Sequence, residues 1–155
     1  MSAKDRTEVH FRSDVFNRTE PRDYFINDCC FGDDVCLWLI KQLRACGLRT
    51  ADAPGQEDFG WYFRFHVGEV EHSFVLGLSE GDTPGDTFWR GWLERPAGSF
   101  ASILGRNERG VHQAACDAIH DVLTSCDRIH HISWHIPDDL DDELVGAPRP
   151  NVNPE

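Results

Sequence analysis

The sequence predicts an α+β fold: a mainly antiparallel sheet of about five to six strands with two helices packed on one face. Three observations carry that expectation. Two apolar-alternating runs flank a two-residue turn at Gly68-Glu69, two other segments repeat apolar residues at helical spacing, and the elements follow the order strand, helix, several strands, helix, strand. At 155 residues the chain suits a single domain, placed at residues 1–137, followed by an acidic, proline-containing tail at 138–155. Apolar residues at 40% and aromatics at 11% are too abundant for a disordered chain.

In chain order, Val9, Phe11 and Val15 alternate with polar His10, Arg12 and Asp14, the period-2 pattern of a half-buried strand over 9–15. Gly32-Asp33-Asp34 then leads into Val35, Cys36, Leu39, Ile40 and Leu43, with Gly47 beyond. Two acids suit the positive end of the helix dipole, and Lys41 and Arg44 suit the other, so this stretch reads as an amphipathic helix. Residues 51–58 read as a loop by composition.

The clearest pattern follows. Phe59, Trp61, Phe63, Phe65 and Val67 alternate with Gly60, Tyr62, Arg64 and His66, and Gly68-Glu69 has the glycine-first form of a type II′ hairpin turn. That turn fixes a register. Val67 should face Val70, Phe65 His72, Phe63 Phe74 and Trp61 Leu76 on the inner face, with His66 against Glu71, Arg64 against Ser73 and Tyr62 against Val75 outside.

After a turn-rich stretch at 79–86, a strand from about Thr87 to Glu94 places Trp89 and Trp92 on opposite faces, so at least one is expected outside, near Tyr62. Residues 98–105 fit no single period. Gly110 to Cys126 reads as a second helix through Val111, Ala115, Ala118 and Val122. Ile129 to Ile136 reads as a last strand with Ile132, Trp134 and Ile136 inward, ended by Pro137. Residues 138–143 suit one helical turn, and Pro148 onward suits an extended end.

Twenty-seven acidic against 15 basic side chains give a net charge of −12 at pH 7, which opposes direct binding to nucleic acid or anionic membrane. The same charge steers the protein toward a basic protein partner. Eleven acids against five bases lie in 25–90, and six against one in 138–155. Nothing at the N-terminus resembles a signal peptide and the longest apolar run, Val35 to Ile40, is too short to span a bilayer, so a cytoplasmic location is expected. The six cysteines are then expected to be reduced, acting mainly as small core hydrophobes. Thirteen arginines against two lysines match the usage of a GC-rich bacterial genome.

No catalytic signature stands in the chain. Cys29-Cys30 is vicinal with no CxxC spacing, and Cys36 and Cys46 lie about 15 Å apart along a helix. His131 and His135, on a strand, lie roughly 13 Å apart. No metal and no cofactor is therefore expected. GxGxxG, GxxxxGK[ST] and GxSxG arrangements are absent. His120, between Asp117 and Asp121, is assigned to the solvated stripe of the second helix, and His72 to the rim of the aromatic sheet face.

What remains is a binding surface. Acidic loops 51–58 and 79–86 and the tail supply attraction, and outward aromatics supply anchors. The expected partner-binding residues are Glu57, Asp58, Tyr62, Glu80, Asp82, Asp86 and Trp89, with Asp138, Asp139, Asp141 and Asp142 from the tail. The rival expectation is a small hydrolase or metal-dependent enzyme that uses loop carboxylates with His72.

Asn27-Asp28-Cys29-Cys30-Phe31-Gly32, then Trp38-Leu39, Leu43 and Gly47, then Glu57-Asp58-Phe59-Gly60-Trp61 together resemble a group of small uncharacterised bacterial α+β proteins. Those proteins look like acidic toxin-immunity proteins, and the resemblance spans roughly residues 9–80. It implies a non-enzymatic inhibitor that neutralises a basic toxin or effector, and it carries over no catalytic residue.

Overall fold

Alternating and helically spaced apolar residues assemble here into a six-stranded antiparallel sheet and two helices, in a computed structural model that describes residues 5–58, 60–96, 110–137 and 146–152. The elements are β1 (Glu8–Arg12), α1 (Asp33–Ala45), β2 (Gly55–Glu57), β3 (Gly60–Val67), β4 (Val70–Glu80), β5 (Thr87–Glu94), α2 (Gln113–Thr124) and β6 (His130–His135). The strand order is β2-β3-β4-β5-β1-β6. Strand β1 is thus inserted between β5 and β6, far from its neighbours in sequence.

The β3–β4 hairpin has the expected register at all seven pairs, from Val67 opposite Val70 to Trp61 opposite Leu76. Gly68 takes φ +60° and Glu69 stays at negative φ, the combination a type II′ turn requires. The inner face of the sheet presents Phe11, Phe63, Phe65, Phe74, Leu76 and Trp134 to Val35, Leu39 and Leu43 of α1 and to Cys116, Ile119 and Leu123 of α2, all buried. Helix α1 closes with the Gly47 N–H donating to the Arg44 carbonyl at 2.9 Å and the Leu48 N–H to the Leu43 carbonyl at 3.1 Å, a Schellman ending.

Several sequence expectations need correction. The first strand stops at Arg12, because the Ser13 hydroxyl accepts the Val15 N–H at 3.4 Å in a local turn, and Val15 is 44% exposed. Residues 51–58 are not all loop. Gly55 to Glu57 pair with Tyr62 to Gly60, and the Tyr62 ring lies where a side chain at position 55 would stand. His120 does not face solvent. It is buried, and its Nδ1 accepts the Trp134 indole N–H at 3.0 Å. Of the six free cysteines, Cys30, Cys36 and Cys116 are core residues, whereas Cys29 and Cys46 are exposed.

Strand β6 carries a bulge. Ser133 faces His10 while His130 faces Arg12, so two residues oppose Phe11, and His131 takes φ +55°. Beyond β6, Ala147 exchanges both backbone hydrogen bonds with Trp134, at 2.6 and 2.8 Å, and the Arg6 N–H donates to the Asn151 carbonyl at 2.7 Å. Residues 146–152 therefore pack on the domain. The segment 98–105 and the turn expected at 138–143 lie outside the described residues. Among the described residues, no helix is long and apolar enough to cross a membrane.

Candidate functional site

The antiparallel order decides which loops meet. The link from β2 to β3 and the loop from β4 to β5 lie at one end of the sheet, and the Gly68-Glu69 turn lies at the other. Glu57 and Asp58 therefore share an end with Glu80, Asp82 and Asp86. Four of these five are exposed and make no ion pair among the described residues. Asp86 differs. Arg12 reaches it with two nitrogens, at 2.5 and 3.3 Å, and this hydrogen-bonded pairing holds the Asp86 carboxyl below its ordinary range. Its backbone also closes the loop: the Gly81 N–H donates to the Asp86 carbonyl at 2.7 Å, and the Asp86 N–H to the Thr83 carbonyl at 3.0 Å.

The two expected aromatic anchors part company. Tyr62 lies half-buried on the outer face and, with Glu57, Arg64, Ser73, Val75 and Glu94, lines a groove of about 230 Å³. Trp89 is wholly buried, which removes it from any partner-binding surface. The reason is register: β5 pairs Trp89 with Phe11 of β1, both on the helix-covered face, where Phe16 meets its ring edge-on at 6.3 Å. Its counterpart Trp92 takes the outer face, with the Arg90 guanidinium 5.7 Å from its ring centre. Asp138, Asp139, Asp141 and Asp142 lie outside the described residues.

Sequence reading missed Tyr24 and Ile26, which are 58% and 56% exposed. They sit in a segment without periodicity, so only the aromatic-aliphatic run before Asn27-Asp28 could have signalled them. The segment is pinned to β2. The Gln56 amide oxygen accepts the Ile26 N–H at 2.6 Å, its nitrogen donates to the Tyr24 carbonyl at 2.9 Å, and Asn27 donates to the Asp58 carbonyl at 2.9 Å. The Trp61 indole donates to the Cys30 carbonyl at 2.8 Å, and the Cys30 thiol reaches the carbonyls of Glu57 and Gly60. Asn27, Cys30, Gln56 and Trp61 thus fasten the 24–32 segment to the β2–β3 hairpin.

A second concentration of chemistry lies on the outer face of β1, β5 and β6. His10, Arg12, Phe88, His131, Ser133 and His135 line a cleft of about 450 Å³ that also borders Glu80, Asp82 and Asp86. Glu8 is buried and receives two hydrogen bonds from Arg90, at 3.0 and 3.1 Å, and one contact with His10 at 2.8 Å. Burial raises its pKa, but these partners outweigh burial and hold it lowered. The His10 and His135 rings stack at 3.9 Å, and His135 Nε2 lies 2.7 Å from the Ser133 hydroxyl. Among the described residues the carboxylate of Glu8 serves His10, and the hydroxyl of Ser133 serves His135. The two imidazole planes lie within 23° of parallel.

The rival enzyme expectation loses its base. His72 is fully buried near the hairpin turn, and seven residues of β4 separate it from Glu80, a span of about 27 Å. Its Nε2 accepts the His112 N–H at the start of α2 at 3.1 Å. Burial, reinforced by Arg95 and His112, pushes its pKa down to about 4. It is a neutral structural acceptor. Among the described residues, no three His, Cys, Asp or Glu side chains gather in a way that could hold a metal ion.

Compared with known proteins, the chain matches no family model, no curated protein and no solved structure.

Proposed function

We propose that the protein is a non-enzymatic, acidic binding protein of the immunity type, which caps a basic toxin or effector in the bacterial cytoplasm. One observation carries this reading. Glu57, Asp58, Glu80 and Asp82 are exposed at one end of a rigid sheet without ion-pair partners among the described residues, while Arg12, beside them, is committed to Asp86. Such a placement gives a cationic protein a directed field at little reorganisation cost.

The test is kinetic. With the partner recovered by affinity copurification from the native cell, its association rate should fall about tenfold or more as salt rises through the range where the Debye length shrinks from about 10 to about 3 Å. A variant carrying Glu57→Lys, Asp58→Lys, Glu80→Lys and Asp82→Lys should lose a similar factor with its thermal stability little changed. An association rate indifferent to both salt and these reversals overturns the proposal.

A further inference from the structure

Resting on that reading, we infer that Tyr24 and Ile26 are the apolar anchors of the interface, and that the partner receives them in an apolar pocket rimmed by lysine or arginine. Four large apolar side chains among the described residues are markedly exposed: Val15, Tyr24, Ile26 and Leu37. Two of the four stand on one three-residue run. Phe25 between them turns inward, meeting Phe31 at 5.6 Å and Trp61 at 6.0 Å, so the run presents its outer residues from a fixed base.

The run is held before any partner arrives. Gln56 grips the backbone on both sides of Phe25, and the Tyr24 hydroxyl donates to Asp33 at 2.5 Å while its ring meets Trp61 edge-on at 6.1 Å. Little conformational freedom is left to lose on binding, which is the condition under which an exposed aromatic becomes a hot spot. Around the pair stand Asp23, Asp28, Glu57 and Asp58, all exposed and without ion pairs among the described residues. An apolar pair flanked by four exposed carboxylates, with Arg22 the one cation of its segment, is complementary to an apolar pocket that carries cations at its edge. It disfavours a second copy of this chain, which would bring like charge against like.

Random 12-residue peptides displayed on phage, selected on the immobilised full-length protein, test this directly. Enriched peptides should combine lysine or arginine with an aromatic or large aliphatic residue, and the amide resonances of Tyr24 and Ile26 should shift when they bind. Ile26→Ser should weaken binding at least tenfold, and Tyr24→Ala likewise. The Ile26 side chain makes no hydrogen bond, so Ile26→Ser keeps the test meaningful if Tyr24→Ala disturbs the segment. Cationic peptides whose salt-dependent binding ignores both substitutions refute the anchor assignment and leave the acidic-surface reading standing. Failure to enrich cationic peptides refutes both.

Discussion

A single imidazole shows how far a residue's role depends on its surroundings. His72 is buried and neutral, its ordinary pKa of 6.5 depressed to about 4, first by burial and then by Arg95 and His112. A histidine whose folded pKa is lowered favours the fold fully above its unfolded pKa. That contribution declines as pH falls from about 6.5 and is lost by about 4. The shift corresponds to about 3 kcal/mol across this window. Urea titrations from pH 7.5 to 4 should show this acid-dependent loss in the native protein, and a clearly shallower loss in His72→Gln, which retains an acceptor but no titrating group. Equal pH slopes would contradict the assignment. The inward face of His72 was legible from the hairpin register. Its full burial was not, because its hydrogen-bond partner lies 40 residues away on the approach to α2. His120 was misread for the same reason, since helical spacing alone cannot reveal an indole from β6.

At the scale of elements, long periodic segments could be read and short paired ones could not. The β3–β4 register and the course of α1 follow from local pattern, whereas β2 is three residues of Gly-Gln-Glu whose strand character comes from pairing with β3. The bulge at His131 likewise reflects how β6 meets β1, a contact between distant parts of the chain. Gly60 illustrates the constraint that such pairing imposes. A Cβ there would stand 2.1 Å from the Leu76 carbonyl oxygen, so β3 and β4 must separate to admit one. Gly60→Ala should therefore cost about 3 kcal/mol, by disrupting a backbone contact that no side-chain rotation relieves. Chemical denaturation will check this. The same substitution should loosen Cys30 and Trp61, whose bonds depend on that strand start, and so raise hydrogen exchange across residues 24–32.

For the whole molecule, net charge and loop acidity point to the acidic loops, and the antiparallel order brings Glu57, Asp58, Glu80 and Asp82 to one end of the sheet. Composition distinguishes unpaired from paired acids poorly, however, and only the fold shows that Asp86 is held by Arg12 while Glu80 and Asp82 are not. Aromatic content was a weaker guide. Trp89 went to the core because the inserted strand β1 needed an inward partner for Phe11, and two of the four exposed large apolar residues, Tyr24 and Ile26, fell instead in an aperiodic segment. The β1 insertion and the docking of 146–152 have a mechanical consequence. Arg6 and Asn151 lie side by side and antiparallel, so tension applied at residues 5 and 152 loads that bond, and the bond from the Val152 N–H to Gln113, before reaching Trp134 and Ala147. Stretched in optical tweezers, the molecule should peel open bond by bond at low force. Handles at residues 68 and 151 should pull along a different axis and meet greater resistance.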